Sequence, residues 1–316
     1  SRPVRLYGPP DPTNDPCQPV SWQRARRVVR IIHAVLPDMS APVYDSAPGA
    51  PFTAYRALGA IAGRDFRDIL YSSWLLLNER CANVIDLYFW PTPNGHKISI
   101  MLEECGLEYL TVPVDIGAGD QFQPEFLAIS PNNRMPAIMD RDTGISVFEG
   151  GAILIYLAEK AGMLLPREPK ARFEVLQWLF WQAGGLGPMA GQLSHFKSYL
   201  EEPVPYAERR YGNEYDRLLA VMDERLAERE FLAGDYSIAD IAAFPWVRPY
   251  RRLGNDIARF PQLKRWYDTL KERPAVRRGI DLGSDWQRTE ATNEDARALL
   301  FNQNAETVRL SRKRKQ

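Results

Sequence analysis

The apolar positions of this chain fall into short runs and stripes that sharpen abruptly at Ile85. "IDLYF" (Ile85 to Phe89) is a short, continuous apolar run of the kind that forms a buried strand. Ile98, Met101, Leu102 and Cys105 follow at i, i+3, i+4 and i+7, a helical stripe that Gly106 is placed to stop. "EYLTVPVDI" reads as a second strand and "QPEFLAIS" as a short helix or turn. "MPAIMD" and "GISVFEG" read as an antiparallel pair joined through "DRDTG". "GAILIYLAEKAG" closes the series as a helix with Ile153, Leu154, Leu157, Ala158 and Ala161 along one side and Gly162 at its end.

Beyond the linker "MLLPREPKAR" every pattern is helical. Tyr211, Tyr215, Leu218, Met222 and Leu226 mark one long amphipathic helix. Ser237-Ile238-Ala239-Asp240 has the spacing of a capping box, with Asp where Glu or Gln is usual. The βαβαββα order followed by helices predicts an α/β sandwich of thioredoxin type over 85–162 and an all-helical domain over 171–280. Residues 281–316 are polar and end in "SRKRKQ", a solvated terminus by composition. Residues 1–84 are rich in Pro and Ala, with weak periodicity and turn signals such as "YGPPDPTNDP", and read as a poorly structured extension. Within it "WQRARRVVRIIHAVL" could form a basic amphipathic helix, and the first 37 residues hold six Arg against two Asp. A targeting peptide would look similar, but no cleavage signal follows.

Composition narrows the chemistry. Forty basic residues balance forty acidic ones over 316 residues, so no global field draws the chain to nucleic acid or a membrane surface. No apolar run approaches the ~20 residues that span a bilayer. Cys17, Cys81 and Cys105 are too far apart to suggest a disulfide framework or zinc site, and the three histidines are as scattered, so no metal is expected. A reducing cytoplasm is the expected compartment.

Where the first strand runs into the first helix, such units often carry a nucleophilic Cys, Ser or Tyr. Here the turn is Pro91-Thr92-Pro93-Asn94-Gly95-His96-Lys97. Together with "GDQFQPEFLAISPNNRMPAI" (119 to 138), "FEGGAILIYLAEK" (148 to 160) and "QWLFWQAGGLGPM" (177 to 189), this stretch resembles the Nu-class bacterial glutathione transferases, and most nearly their disulfide-bond oxidoreductase members. The likeness runs from about Ile85 to Gly279.

The resemblance implies a thioredoxin-like glutathione-binding domain, an all-helical second domain and a homodimer. It also implies that Pro136 is cis and that Met135 offers its backbone to the cysteinyl part of glutathione like an added strand. Glu149 would face the γ-glutamyl amino group. The residue after it would meet the γ-glutamyl carboxylate, together with helix N–H groups that suit an anion. That residue is serine in the family and Gly150 here, so one hydrogen bond worth about 1.5–3 kcal/mol is missing. Gln121, Arg134 and Arg210 match further ligand-binding positions, and each is also compatible with a plain surface role.

Thr92 and Asn94 flank the start of the first helix, where a hydroxyl, an amide and the helix dipole all favour a sulfur anion. Glutathione brings its own thiol, so the protein needs only to stabilise and aim it. Cys105 sits on the apolar stripe and reads as core, and His96 reads as a structural or surface residue. Trp178, Phe180 and Trp181 read as core or subunit contact, and Gly184 to Pro188 as a bend that opens space above the sulfur. The leading expectation is a glutathione-dependent oxidoreductase that reduces small disulfides without a catalytic protein cysteine. Conjugation of electrophiles, or non-catalytic glutathione binding, are the alternatives.

Overall fold

The computed structural model describes residues 84–200, 202–286 and 294–313. The chain divides into two units, 1–82 and 83–316, and all the described residues lie in the second. The basic stretch near the N-terminus, Cys17 and Cys81 fall outside them.

Four strands form one sheet: β1 (Ile85–Phe89), β2 (Tyr109–Pro113), β3 (Ala137–Asp140) and β4 (Ile145–Phe148), in the order β2-β1-β3-β4. β1 and β2 are parallel, Leu87 facing Thr111, because the helix α1 (Pro93–Cys105) carries the chain back across the sheet between them. β3 runs antiparallel to both β1 and β4. A short 3₁₀ turn (Asp120–Phe122) and the helix α2 (Pro124–Ile129) fill the second crossover, and α3 (Gly150–Ala161) follows β4. This is the thioredoxin-like domain expected from the pattern. The α1 stripe is buried as predicted, with Ile98, Met101 and Leu102 fully inaccessible. Cys105, at its lower end, is half-buried against the core edge.

The second domain is helical: α4 (Pro169–Trp181), α5 (Gly187–Ser198), α6 (Pro205–Leu226), α7 (Ile238–Val247), α8 (Pro261–Glu272) and α9 (Pro274–Asp281). Its core is continuous with that of the first domain. One cluster runs from Leu87 and Ile98 through Leu154 and Leu179 to Tyr215 and Trp266. α9 lies directly on α1. A Cβ at Gly279 would stand 2.6 Å from the backbone of Ile100, so only glycine permits this approach. The Gly279 carbonyl then accepts from Ser99 Oγ at 2.6 Å and lies 3.1 Å from His96 Nδ1, which makes His96 a buried structural residue. Glu104 on α1 adds a bidentate pair with Arg273, both bonds 2.8 Å. These contacts run along α1 from His96 to Glu104 and hold it against the helical domain.

The polar C-terminus departs from the solvated end that its composition predicts. Glu294–Phe301 (α10) and Ala305–Lys313 (α11) are helical. Phe301 packs edge-on against His195 of α5 with ring centroids 4.6 Å apart, and Arg297 donates to the Tyr199 carbonyl. Leu299 lies against Gly119 in the first domain. A few apolar residues among many polar ones suffice to anchor the segment, and composition alone does not register them.

Candidate functional site

Thr92 is the N-cap of α1. Its backbone is extended (φ −124°, ψ 164°) and its Oγ1 accepts from Gly95 N at 3.2 Å. That bond occupies an acceptor lone pair, so the hydroxyl proton is free to point outward. In the structure it points toward Met135 Sδ, 4.0 Å away. No acidic residue sits in the first turn of α1, so nothing on the helix offsets its positive end.

Asn94, the second residue of the helix, is exposed, and its Oδ1 accepts from Trp246 Nε1 at 3.1 Å. This bond spends the amide oxygen on the helical domain and leaves the Nδ2 donors available. Trp246 can reach Asn94 because of the motif after α4. Gln182–Leu186 forms a π-helical turn rather than a simple bend, and α5 begins at Gly187. A Cβ on Gly187 would stand 2.7 Å from Gln182 Nε2 and 3.4 Å from Trp246 Nε1. Of the glycines in the expected bend, Gly187 is the one that makes room for the indole that holds Asn94.

Across from Thr92, the Met135–Pro136 peptide bond is cis, as the resemblance implies. Met135 is half-buried and Pro136 buried. Ser130 Oγ donates to the Arg134 carbonyl at 2.8 Å and pins the loop just before them. Glu149 is the N-cap of α3, and its φ of 69° puts a non-glycine residue in the left-handed region. Such a conformation persists only where the surroundings impose it, and it collects at functional sites. Glu149 Oε1 accepts from Asn132 Nδ2 at 3.1 Å, which steadies the exposed carboxylate. No side chain caps α3, so its first N–H groups face outward at Gly150.

The remaining expected residues are arranged less simply. Gln121 is 2 % exposed, and its Nε2 donates to the Ile116 carbonyl while its Oε1 is buried without a partner. Arg134 is exposed but engaged, Nη1 donating to Gln303 Oε1 at 2.5 Å. Arg210 is exposed on the first half of α6 and makes no hydrogen bond to the other site residues. Thr92 at the α1 N-terminus meets Met135, and Lys97 of the same helix reaches Gly150 at the α3 N-terminus, so α1 touches both of the other expected segments.

Three participants have no sequence signal of their own: Trp246, Gln303 and Lys97. Lys97 is 6 % exposed, and burial brings its ammonium down to about 7 while the Glu149 carboxylate pulls the other way. At the far end of α1, burial and the neighbouring Glu104 push the Cys105 thiol up to about 11. Among the described residues no group of three His, Cys, Asp or Glu side chains is placed to hold a metal, and no helix is long and apolar enough to cross a membrane.

Comparison with known proteins gives a consistent result. The glutathione S-transferase N-terminal domain matches residues 83–159, and the glutathione S-transferase C-terminal domain matches residues 206–274. The disulfide-bond oxidoreductase YfcG of Escherichia coli is 52 % identical over 199 residues, which are 61 % of this chain and 93 % of that protein. A second E. coli disulfide-bond oxidoreductase, YghU, is 41 % identical over 211 residues, covering 62 % and 73 %. Among solved structures, a glutathione transferase family member from Pseudomonas fluorescens with two glutathione bound shares 47 % identity at a TM-score of 0.59. The match covers 63 % of this chain and 92 % of that one. A Pseudomonas putida glutathione transferase with one glutathione disulfide bound per subunit shares 45 % identity at a TM-score of 0.60, with the same coverage.

Proposed function

The chain belongs to the glutathione S-transferase family, and from that premise we propose that it is a glutathione-dependent disulfide-bond oxidoreductase. The observation that carries this reading is the location of sulfur chemistry relative to the α1 N-terminus. Thr92 and Asn94 stand there, the first with a hydroxyl donor engaged only by a long contact to Met135 Sδ and the second with its amide N–H groups. Cys105 lies 13 residues further on, roughly 20 Å along the helix, with a thiol too weakly acidic to supply a thiolate near neutral pH. In this reading the reacting sulfurs come from glutathione.

In this mechanism one glutathione is held along Met135, with its γ-glutamyl end at Glu149 and Gly150. Thr92 Oγ1 donates to its sulfur, which favours the thiolate. The thiolate attacks one sulfur of the substrate disulfide, forming a mixed disulfide and releasing the other sulfur as a thiol once protonated. A second glutathione thiolate attacks the glutathionyl sulfur of that mixed disulfide. The products are glutathione disulfide and a second substrate thiol, so two electrons and two protons pass from two glutathiones to one disulfide. The relatives crystallised with two glutathiones, or with glutathione disulfide, support this stoichiometry. Arg134 and Arg210, both exposed, are assigned to the rim, whereas Gln121 is buried and turned to Ile116 and supports the loop instead. A reducing cytoplasm that keeps glutathione as the thiol suits the chemistry.

The test compares kcat/KM for 2-hydroxyethyl disulfide with that for an aryl halide at equal glutathione. The reading predicts a ratio of about 100 or more in favour of the disulfide. A ratio below one would make the chain a conjugating transferase instead, and turnover of neither would leave a binding protein.

The working unit is assigned as a homodimer. Phe173 and Phe180, two turns apart on one face of α4, are 62 % and 65 % exposed, a large aromatic surface for a monomer to leave in water. Sedimentation should give a dimer, and Phe180→Glu should convert it to monomer. A monomeric parent would remove the assignment.

A further inference from the structure

Lys97 is the only buried lysine or arginine among the described residues, and it has neither a carboxylate within 4 Å nor a hydrogen bond. A buried cation in that position is costly unless something pairs with it. Its surroundings make matters worse. The side chain runs from α1 under the start of α3, with Cδ 3.7 Å from where a Cβ on Gly150 would stand. The α3 N-terminus is itself the positive end of a 12-residue helix, with no capping side chain and no acid in its first turn. On the other side, Nζ lies 6.0 Å from the centre of the Trp246 ring, a weak attraction for a full charge. Glu149 is the carboxylate that acts on the ammonium, from beyond ion-pair distance. Two positive ends therefore converge on one place, and the one carboxylate that acts there, Glu149, forms no ion pair with Lys97.

We propose that Lys97 is a binding residue, whose ammonium and the uncapped α3 N–H groups together hold the γ-glutamyl carboxylate of glutathione where Gly150 supplies no hydroxyl. The inference rests on glutathione being the ligand. It accounts for a site that lacks the family's serine yet keeps a donor for the carboxylate, here one that is itself charged, so that both partners of the bond are ionised. The lowered pKa of Lys97 is that of an empty site, and an arriving carboxylate raises it again, so the lysine binds as the cation. Residue 150 and Lys97 serve the same carboxylate, so their contributions are coupled.

Calorimetric titration of the full chain with two ligands tests this. One is glutathione. The other is γ-aminobutyryl-cysteinylglycine, which is glutathione without the γ-glutamyl carboxylate. Lys97→Met keeps the stem's packing and removes a buried charge, so the variant is expected to fold. It should weaken glutathione about tenfold or more while changing the truncated ligand by less than about twofold. Lys97→Arg should retain most of the affinity. Adding Gly150→Ser to Lys97→Met should recover part of the loss, since a Cβ at residue 150 meets only ordinary contacts. Unchanged glutathione affinity in Lys97→Met, or an equal loss for both ligands, would overturn the proposal while leaving the function intact. A parent that fails to bind glutathione would overturn both.

Discussion

Thr92→Ala is expected to lower the turnover of 2-hydroxyethyl disulfide by about 100-fold, with a much smaller change in KM for glutathione. The hydroxyl is positioned rather than merely present. Its oxygen is tied to Gly95 N at 3.2 Å, so the proton has a defined direction, away from the helix and toward the cleft beside Met135. A donor aimed at a sulfur anion acts on the charged state, where such a bond is worth about 1.5–3 kcal/mol, or roughly 10- to 160-fold in rate. Loss of the N-cap adds about 1 kcal/mol of destabilisation, which a thermal melt would record separately. Thr92→Ser restores both roles and should recover activity to within about threefold. The defect should also shrink as pH rises past about 9, because there an unassisted thiol of ordinary pKa near 8.5 ionises anyway. Unchanged kcat across this pH range in Thr92→Ala would remove Thr92 from the chemistry.

Asp240→Ala should cost about 3–5 kcal/mol of stability without altering the site's chemistry in the molecules that remain folded. The carboxylate is fully buried and accepts four hydrogen bonds. Oδ1 takes the Leu232 N–H at 3.0 Å and the Trp266 indole N–H at 2.8 Å, while Oδ2 takes the Ser237 N–H at 3.1 Å and its hydroxyl at 3.2 Å. Burial pushes the carboxyl up to about 6 against the pull of these donors, so at neutral pH it is ionised and fully satisfied. Alanine strands all four donors at the start of α7, the helix that also carries Trp246. Natural domains keep only about 5–15 kcal/mol in hand, so the loss is a large part of the margin and corresponds to a fall in Tm on the order of 10 °C. Asp240→Asn keeps the acceptor oxygen but turns an N–H pair toward donors, and should fall between parent and alanine. Differential scanning calorimetry orders the three, and a Tm for Asp240→Ala within about 2 °C of the parent would refute the account.

These two residues mark what could be read locally. Thr92 precedes a Pro-Asn-Gly turn into a clear apolar stripe, and Ser237 with Asp240 has the spacing of a capping box, which the structure forms completely. Both signals are complete within four residues, because a helix N-terminus is satisfied by its own neighbours. The strands and their order along the chain were legible because apolar runs and the turns between them are local too, with boundaries shifted by a residue or more, as at β2. The parts that stayed hidden depend on distant partners. Asn94 is aimed by Trp246, 152 positions away, and Arg134 is engaged by Gln303, 169 positions away. Lys97 resembles any surface lysine beside a helix start until α3 and α7 close over it. Gln121 matched a ligand position in sequence, yet its amide turns inward to Ile116, which only the fold of the 3₁₀ turn could reveal. The composition of the C-terminus hid Leu299 and Phe301 among charged residues, although these two anchor it.

The central claim, that the redox sulfurs are brought by glutathione, is tested most directly with Cys17→Ser, Cys81→Ser and Cys105→Ser combined in one protein. The measurement is the rate of glutathione-dependent reduction of 2-hydroxyethyl disulfide by this variant and by the parent. The account predicts rates within about twofold of each other. Activity confined to the parent would contradict it and assign the chemistry to a protein cysteine.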